Sequence, residues 1–153
     1  MMDIIKENIF EKARKEIEKN KENNIIFTSV DDELNRKILE KEKINILLLS
    51  QSHRKDFQKQ RNSGFNQVMA KLAKKNNVTI GINLDEIIES SSKKRQEILA
   101  RIKQNVRLCN KNKLKMKFIS QKPENQRNLY DLKALGIILG MPTWMVKLLD
   151  REK

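Results

Sequence analysis

Cysteine, histidine, proline, glycine and aromatic residues are all scarce in this chain of 153 residues, and each scarcity removes a class of protein. Cys109 stands alone, so no internal disulfide forms and the disulfide-rich secreted scaffolds are excluded. His53 is the one histidine, and no Cys, His or carboxylate cluster at metal-ligand spacing accompanies it. A catalytic metal centre of the kind found in barrel hydrolases needs several such ligands, so no catalytic and no metal-binding residue is assigned. Five Phe, one Tyr and one Trp, mostly at apolar-periodic positions, speak against base-stacking platforms. No apolar run approaches the roughly 20 residues that cross a bilayer. The opening MMDIIKENIFEKARKEIEK is charged throughout and lacks the apolar centre of a signal peptide. A cytoplasmic chain with no membrane partner is expected.

What the chain has in abundance is positive charge, and it is unevenly placed. Residues 1–52 carry 10 Lys and Arg against 11 Asp and Glu, whereas residues 53–153 carry 23 against 9. The whole excess of +13 therefore begins at His53. A basic bias on this scale is the footprint of a phosphate-bearing partner, and nucleic acid is the natural one. An anionic membrane fits less well, because the cations are not gathered on one amphipathic helix with an exposed apolar face.

The apolar pattern alternates between helical and strand-like. Residues 3–22 place Ile5, Ile9, Ala13 and Ile17 at helical spacing, which predicts an amphipathic helix. IIFTSV (25–30), the continuously apolar INILLL (44–49), VTIGI (78–82) and LKMKFI (114–119) read as strands. Helices are expected over 31–42, 65–77, 92–113, 130–140 and 142–149, the longest carrying Ile98, Ile102, Val106 and Cys109 in line. Strand–helix alternation predicts right-handed βαβ units and a parallel sheet. Four strands cannot close an eight-stranded barrel, so the α/β sheet is expected to be open or an arc. Its edges need cover from the first helix or from a partner. The loops after the strand ends then share one face, where ligand sites of parallel sheets collect.

The strings RNSGFNQVMAKLAKKNNVTIGI, RQEILARIKQNVRLCNKNKLKMKFIS and YDLKALGIILGM, in that order, resemble archaeal ribonuclease P protein component 3. The resemblance spans about residues 25–149. It implies a parallel TIM-barrel-like fold, here an incomplete barrel with an extra N-terminal helix. The chain is then one domain, with a helix over 1–24 and a partial barrel unit over 25–149. The function it implies is that of a protein subunit of the ribonucleoprotein that removes the 5′ leader from precursor tRNA. In such an enzyme the RNA subunit carries catalysis with Mg²⁺, and this chain binds no cofactor of its own. Implied partners are the ribonuclease P RNA, precursor tRNA indirectly, protein component 2 in a two-plus-two heterotetramer, and other ribonuclease P proteins.

Candidate RNA-binding residues follow from charge, loop position and resemblance. Arg54, Lys55 and Arg61 lie on a long polar loop, either solvated or set against phosphate. Asn62 and Ser63 stand before a predicted helix, where free amides attract anions, although a Ser there is more often a cap. Lys71 and Lys75 occupy the polar side of that helix, as a wet surface or an RNA contact. Lys122 and Arg127 follow the last strand, and the resemblance pairs Arg127 with a supporting Asp131 that would orient its guanidinium. Two other classes remain open: a stand-alone metal-dependent phosphoester hydrolase on a barrel fragment, and an architectural subunit that only docks protein.

Overall fold

The computed structural model describes residues 2–150. Along these residues the elements run β1 (Met2–Lys6), α1 (Phe10–Lys19), β2 (Asn24–Thr28), α2 (Asp32–Lys41), β3 (Ile46–Leu49) and α3 (Gln67–Lys75). There follow β4 (Thr79–Asn83), α4 (Leu84–Glu89), α5 (Ser92–Lys111) and β5 (Met116–Ile119). A single 3-10 turn at Pro123–Asn125 leads to α6 (Leu129–Ile138) and α7 (Thr143–Leu148).

All strands are parallel and lie in the order of the sequence, β1-β2-β3-β4-β5. Successive right-handed crossovers in one direction place the helices on one face, which is how a β/α barrel begins. Among the described residues nothing pairs β1 to β5, so the sheet is an open arc of a barrel.

The helix face holds the main core. Ile5, Phe27, Leu47, Leu49, Ile80, Ile82 and Phe118 meet Ala13, Ile38, Met69, Ala73, Ile98, Ile102, Val106 and Cys109 there. Each aliphatic or aromatic side chain taken fully from water contributes about 1.5–3 kcal/mol. On the opposite face Ile26, Ile46, Leu48 and Ile119 form a smaller apolar cluster. Gly81 makes that cluster possible, since a Cβ at this position would stand 3.1 Å from Ile46, 3.2 Å from Leu48 and 3.3 Å from Ile119.

The opening segment departs from the expected single helix. Residues 2–6 pair with β2, Ile4 beside Ile26 and Ile5 beside Phe27, and the helix begins only at Phe10. Ile5 and Ile9 fit a helical period, yet Ile5 is buried in the sheet and Ile9 is exposed. Cross-strand pairing outweighs local periodicity here, and the segment before residue 25 is a β/α unit continuous with the sheet. Helix α1 packs through Ala13 and Ile17 on the helix face and leaves β1 as an edge. Helix α4 also goes beyond the expected elements. Its six residues are too short to display a period.

Candidate nucleic-acid interface

The loops at the strand ends meet on one rim, and buried polar side chains fix their course. Residues 50–66, between β3 and α3, are pinned from two sides. Arg54 is only 4% exposed; its Nε donates to the Ser50 carbonyl at 2.8 Å and its Nη1 to Asp32 Oδ2 at 2.7 Å. Arg101, 2% exposed, reaches from α5 to donate through Nε to Asp56 Oδ1 and through Nη1 to the Gln51 carbonyl, both at 2.9 Å. Gln51 Nε2 donates to the Ser63 carbonyl at 2.9 Å, which also accepts from Asn105 Nδ2 at 3.3 Å. A long loop carrying so many cations would otherwise have no reason to keep one path.

Helix α4 holds the neighbouring loops by their backbone amides. Glu86 accepts from the Gln51 amide at 2.7 Å and the Ser52 amide at 3.0 Å. Burial pushes its carboxyl above the usual glutamate value, against the pull of these bonds. Asp85 accepts from Ser120 Oγ and the Gln121 amide at 2.8 Å and from Asn125 Nδ2 at 3.0 Å. Burial works to raise the Asp85 pKa, but the hydrogen bonds together hold it below the usual value. These carboxylates therefore clamp the loops after β3 and β5, a role beyond complementing a helix dipole. Asp56 is also held low, chiefly by its hydrogen bond from Arg101.

The candidate residues separate accordingly. Arg54 and Ser63 are both buried, which corrects their place on an RNA-facing surface. Arg54 is an internal brace because Asp32 and the Ser50 carbonyl replace water around its charge. Ser63 Oγ donates to the Phe65 carbonyl at 3.3 Å and accepts from Gln104 Nε2 at 3.2 Å. Nor does Ser63 cap α3: Asn66 does, accepting from the Met69 amide at 2.9 Å. Asn62 is half-buried, its amide donating to Asp56 Oδ1 at 3.0 Å.

Lys55, Arg61, Lys71, Lys75, Lys122 and Arg127 are exposed. Arg61 stands 3.3 Å from Asp56, and Lys122 lies 2.5 Å from Glu89, which raises the lysine pKa. Surface pairs of this kind are screened and exchangeable for a phosphate. Arg127 Nη1 donates to the carbonyls of Glu124 and Gln126 at 3.3 and 3.1 Å. The expected brace from Asp131 is not formed; the Asp131 amide instead donates to Asn128 Oδ1 at 2.9 Å, the N-cap of α6. Their nearness in sequence gave the two side chains the chance to meet, but the cap turns the helix start away.

Partial desolvation of the His53 ring, followed by the charge of Arg54, lowers its pKa from the ordinary value. Among the described residues no group of three His, Cys, Asp or Glu is placed to hold a metal ion. Cys109 is buried in the core, which pushes its thiol pKa far up. Trp144 is half-buried, donating from Nε1 to Asn110 Oδ1 at 3.1 Å. Two surface features escaped the sequence reading. Phe57 is 58% exposed in the middle of the basic loop. On α6, Tyr130, Ala134, Ile137 and Ile138 form an exposed stripe, with Tyr130 at 82%.

A family model described as RNase P subunit p30 matches residues 21–148. Among solved structures, a chain of the cryo-EM structure of archaeal ribonuclease P with mature tRNA is similar in fold, with a TM-score of 0.81 at 23% identity. The alignment covers 97% of this chain and 64% of that one, so the present chain spans under two thirds of that relative's length. No curated protein matches.

Proposed function

The chain belongs to the RNase P subunit p30 family, and from that membership we propose that it binds and stabilises the RNA of ribonuclease P through phosphate contacts. Lys55, Arg61, Lys71, Lys75, Lys122 and Arg127 are the contacts. The observation that carries this reading is the contrast between the rim's two kinds of cation. Arg54 and Arg101 are consumed inside the fold, where they shape the loops. The exposed set is left to neutralise a polyanion, each contact releasing counterions from the RNA.

In this reading the chemistry of 5′-leader removal from precursor tRNA belongs to the RNA subunit and its Mg²⁺. The chain itself holds no catalytic group and meets precursor tRNA only indirectly, in the cytoplasm. The apolar stripe of α6 supports docking of a second protein subunit, component 2, in a two-plus-two assembly, since an exposed stripe of this kind invites a partner. Reconstitution of the enzyme with and without this chain at low Mg²⁺, reading precursor-tRNA cleavage, is the test. Activity should fall without the chain and recover at high Mg²⁺; unchanged activity at low Mg²⁺ would overturn the proposal.

A further inference from the structure

Between α2, the 50–66 loop and the α3–α5 pair lies a groove of about 480 Å³. Its walls include the apolar side chains of Phe65, Met69 and Leu108, and the exposed Phe57 lines it as well. The volume falls within the range of roughly 300–1,000 Å³ typical of sites for small organic groups. We propose that this groove receives one unpaired base of the bound RNA, with Phe57 stacking on it.

Three observations favour a base over other occupants. An aromatic ring 58% exposed in a polar loop has no packing reason to be there, and every base has a π-face to cover it. The groove is lined by amide side chains, Gln60, Asn62 and Gln104 among them. Amides carry a donor and an acceptor together, which is what the edge of a base requires. Finally, Asp32 and Glu33 offset Arg36 and Arg61 within the lining, so the groove as a whole draws a phosphate less strongly than an uncompensated cation does. The phosphates on either side of the base fall instead to the flanking cations. Lys55 lies two residues before Phe57, and Lys71 lies one helical turn beyond Gln67, which also lines the groove. An apolar peptide would use Phe57 equally well, but not the amide side chains that line the groove.

The inference rests on the RNA-binding reading, and the test separates the two. The full chain is titrated into a single-stranded oligoribonucleotide carrying one fluorescent aminopurine, and into the same oligonucleotide paired to its complement. The single strand should bind with fluorescence quenched, and the duplex should bind without quenching. Phe57→Ala should weaken single-strand binding roughly 5- to 150-fold and abolish quenching, with Phe57→Tyr restoring both. Salt-dependent binding without quenching, or quenching that survives in Phe57→Ala, overturns the base site and leaves the phosphate reading standing. No salt-dependent binding to either RNA overturns both.

Discussion

The guanidinium of Arg54 fills the space that a side chain at Gly64 would need. Gly64 has φ +72°, and a Cβ built there would overlap the Arg54 guanidinium, itself tied to Asp32 and the Ser50 carbonyl. Gly140 also has positive φ, +93°, but a Cβ there would meet nothing within 4 Å. Gly64→Ala therefore suffers two penalties and Gly140→Ala one. Backbone strain of this kind costs about 1–3 kcal/mol. Urea denaturation should show Gly64→Ala the more destabilised of the two. Equal destabilisation would mean that Arg54 moves aside freely and does not brace the loop.

Stability should respond to pH through two carboxylates of opposite sign. The folded pKa of Asp56 lies below 3.8, so the Asp56–Arg101 contact stabilises the fold above that pH. The stabilisation fades as pH falls through the folded value. Against Asp56→Asn, the wild type should thus lose its advantage below about pH 3.8. The folded pKa of Glu86 lies above 4.5, so the folded state holds this proton more tightly than the unfolded chain. Relative to Glu86→Gln, the wild type should lose stability as pH rises from 4.5 through the raised value, then level off. Parallel pH profiles for wild type and variant would remove either assignment.

Cys109 should be chemically silent in the native protein. It is fully buried among Ile98, Ile102 and Val106, and its thiol is held protonated by burial. A thiol-specific reagent at pH 8 should label it only at the rate of unfolding, and at once in denaturant. Rapid labelling of folded protein would show that α5 does not seal the core.

The α6 stripe should matter for association and not for folding. Ile137 and Ile138 are exposed, whereas the same helix buries Gly136 against Met141 Sδ. Ile137→Lys should leave the denaturation midpoint nearly unchanged, since surface substitutions usually lie within about 0.5 kcal/mol. Where the proposed docking of component 2 on this stripe holds, its affinity, measured by calorimetry, should fall about 5-fold or more, as expected for an interface residue worth over 1 kcal/mol. Unaltered affinity would place the protein partner elsewhere.

How far the chain could be read from its residues depends on how local each decision is. β3 was legible because four consecutive apolar residues, Ile46–Leu49, are all buried. The buried stripe of α5 was legible because Ile98, Ile102, Val106 and Cys109 repeat at helical spacing. The rim was legible as a basic region but not in its inside and outside. Arg54 and Lys55 are neighbours of like charge, and what sends Arg54 inward is Asp32, brought from α2 by the crossover. Arg101 is equally plain in sequence; only the approach of Asp56 and the Gln51 carbonyl makes it internal. Asp85 and Glu86 look like acids at a helix start until the amides of two other loops arrive. Phe57 gave the one missed local signal, an aromatic in a polar loop with no apolar partner at helical spacing.

That division between internal and surface cations makes a final prediction. Lys71 and Lys75 are exposed on α3, and among the described residues neither takes part in an ion pair. Replacing both by Ala should change stability by no more than about 0.5 kcal/mol. It should flatten the dependence of log affinity for RNA on log salt by about 0.7–0.9 for each phosphate no longer neutralised. Arg54→Ala should do the reverse. It strands Asp32 and the Ser50 carbonyl without their donor, at a cost of about 1–3 kcal/mol. Yet it leaves every exposed cation of the proposed interface in place, so the salt slope of the folded fraction should stay where it was. Measuring stability and salt slope on the same preparations decides the matter, because a surface role and an internal role move different axes. If Arg54→Ala flattened the slope while the lysine pair did not, the cations facing the RNA would be the ones the fold encloses, and the rim would have to open to bind.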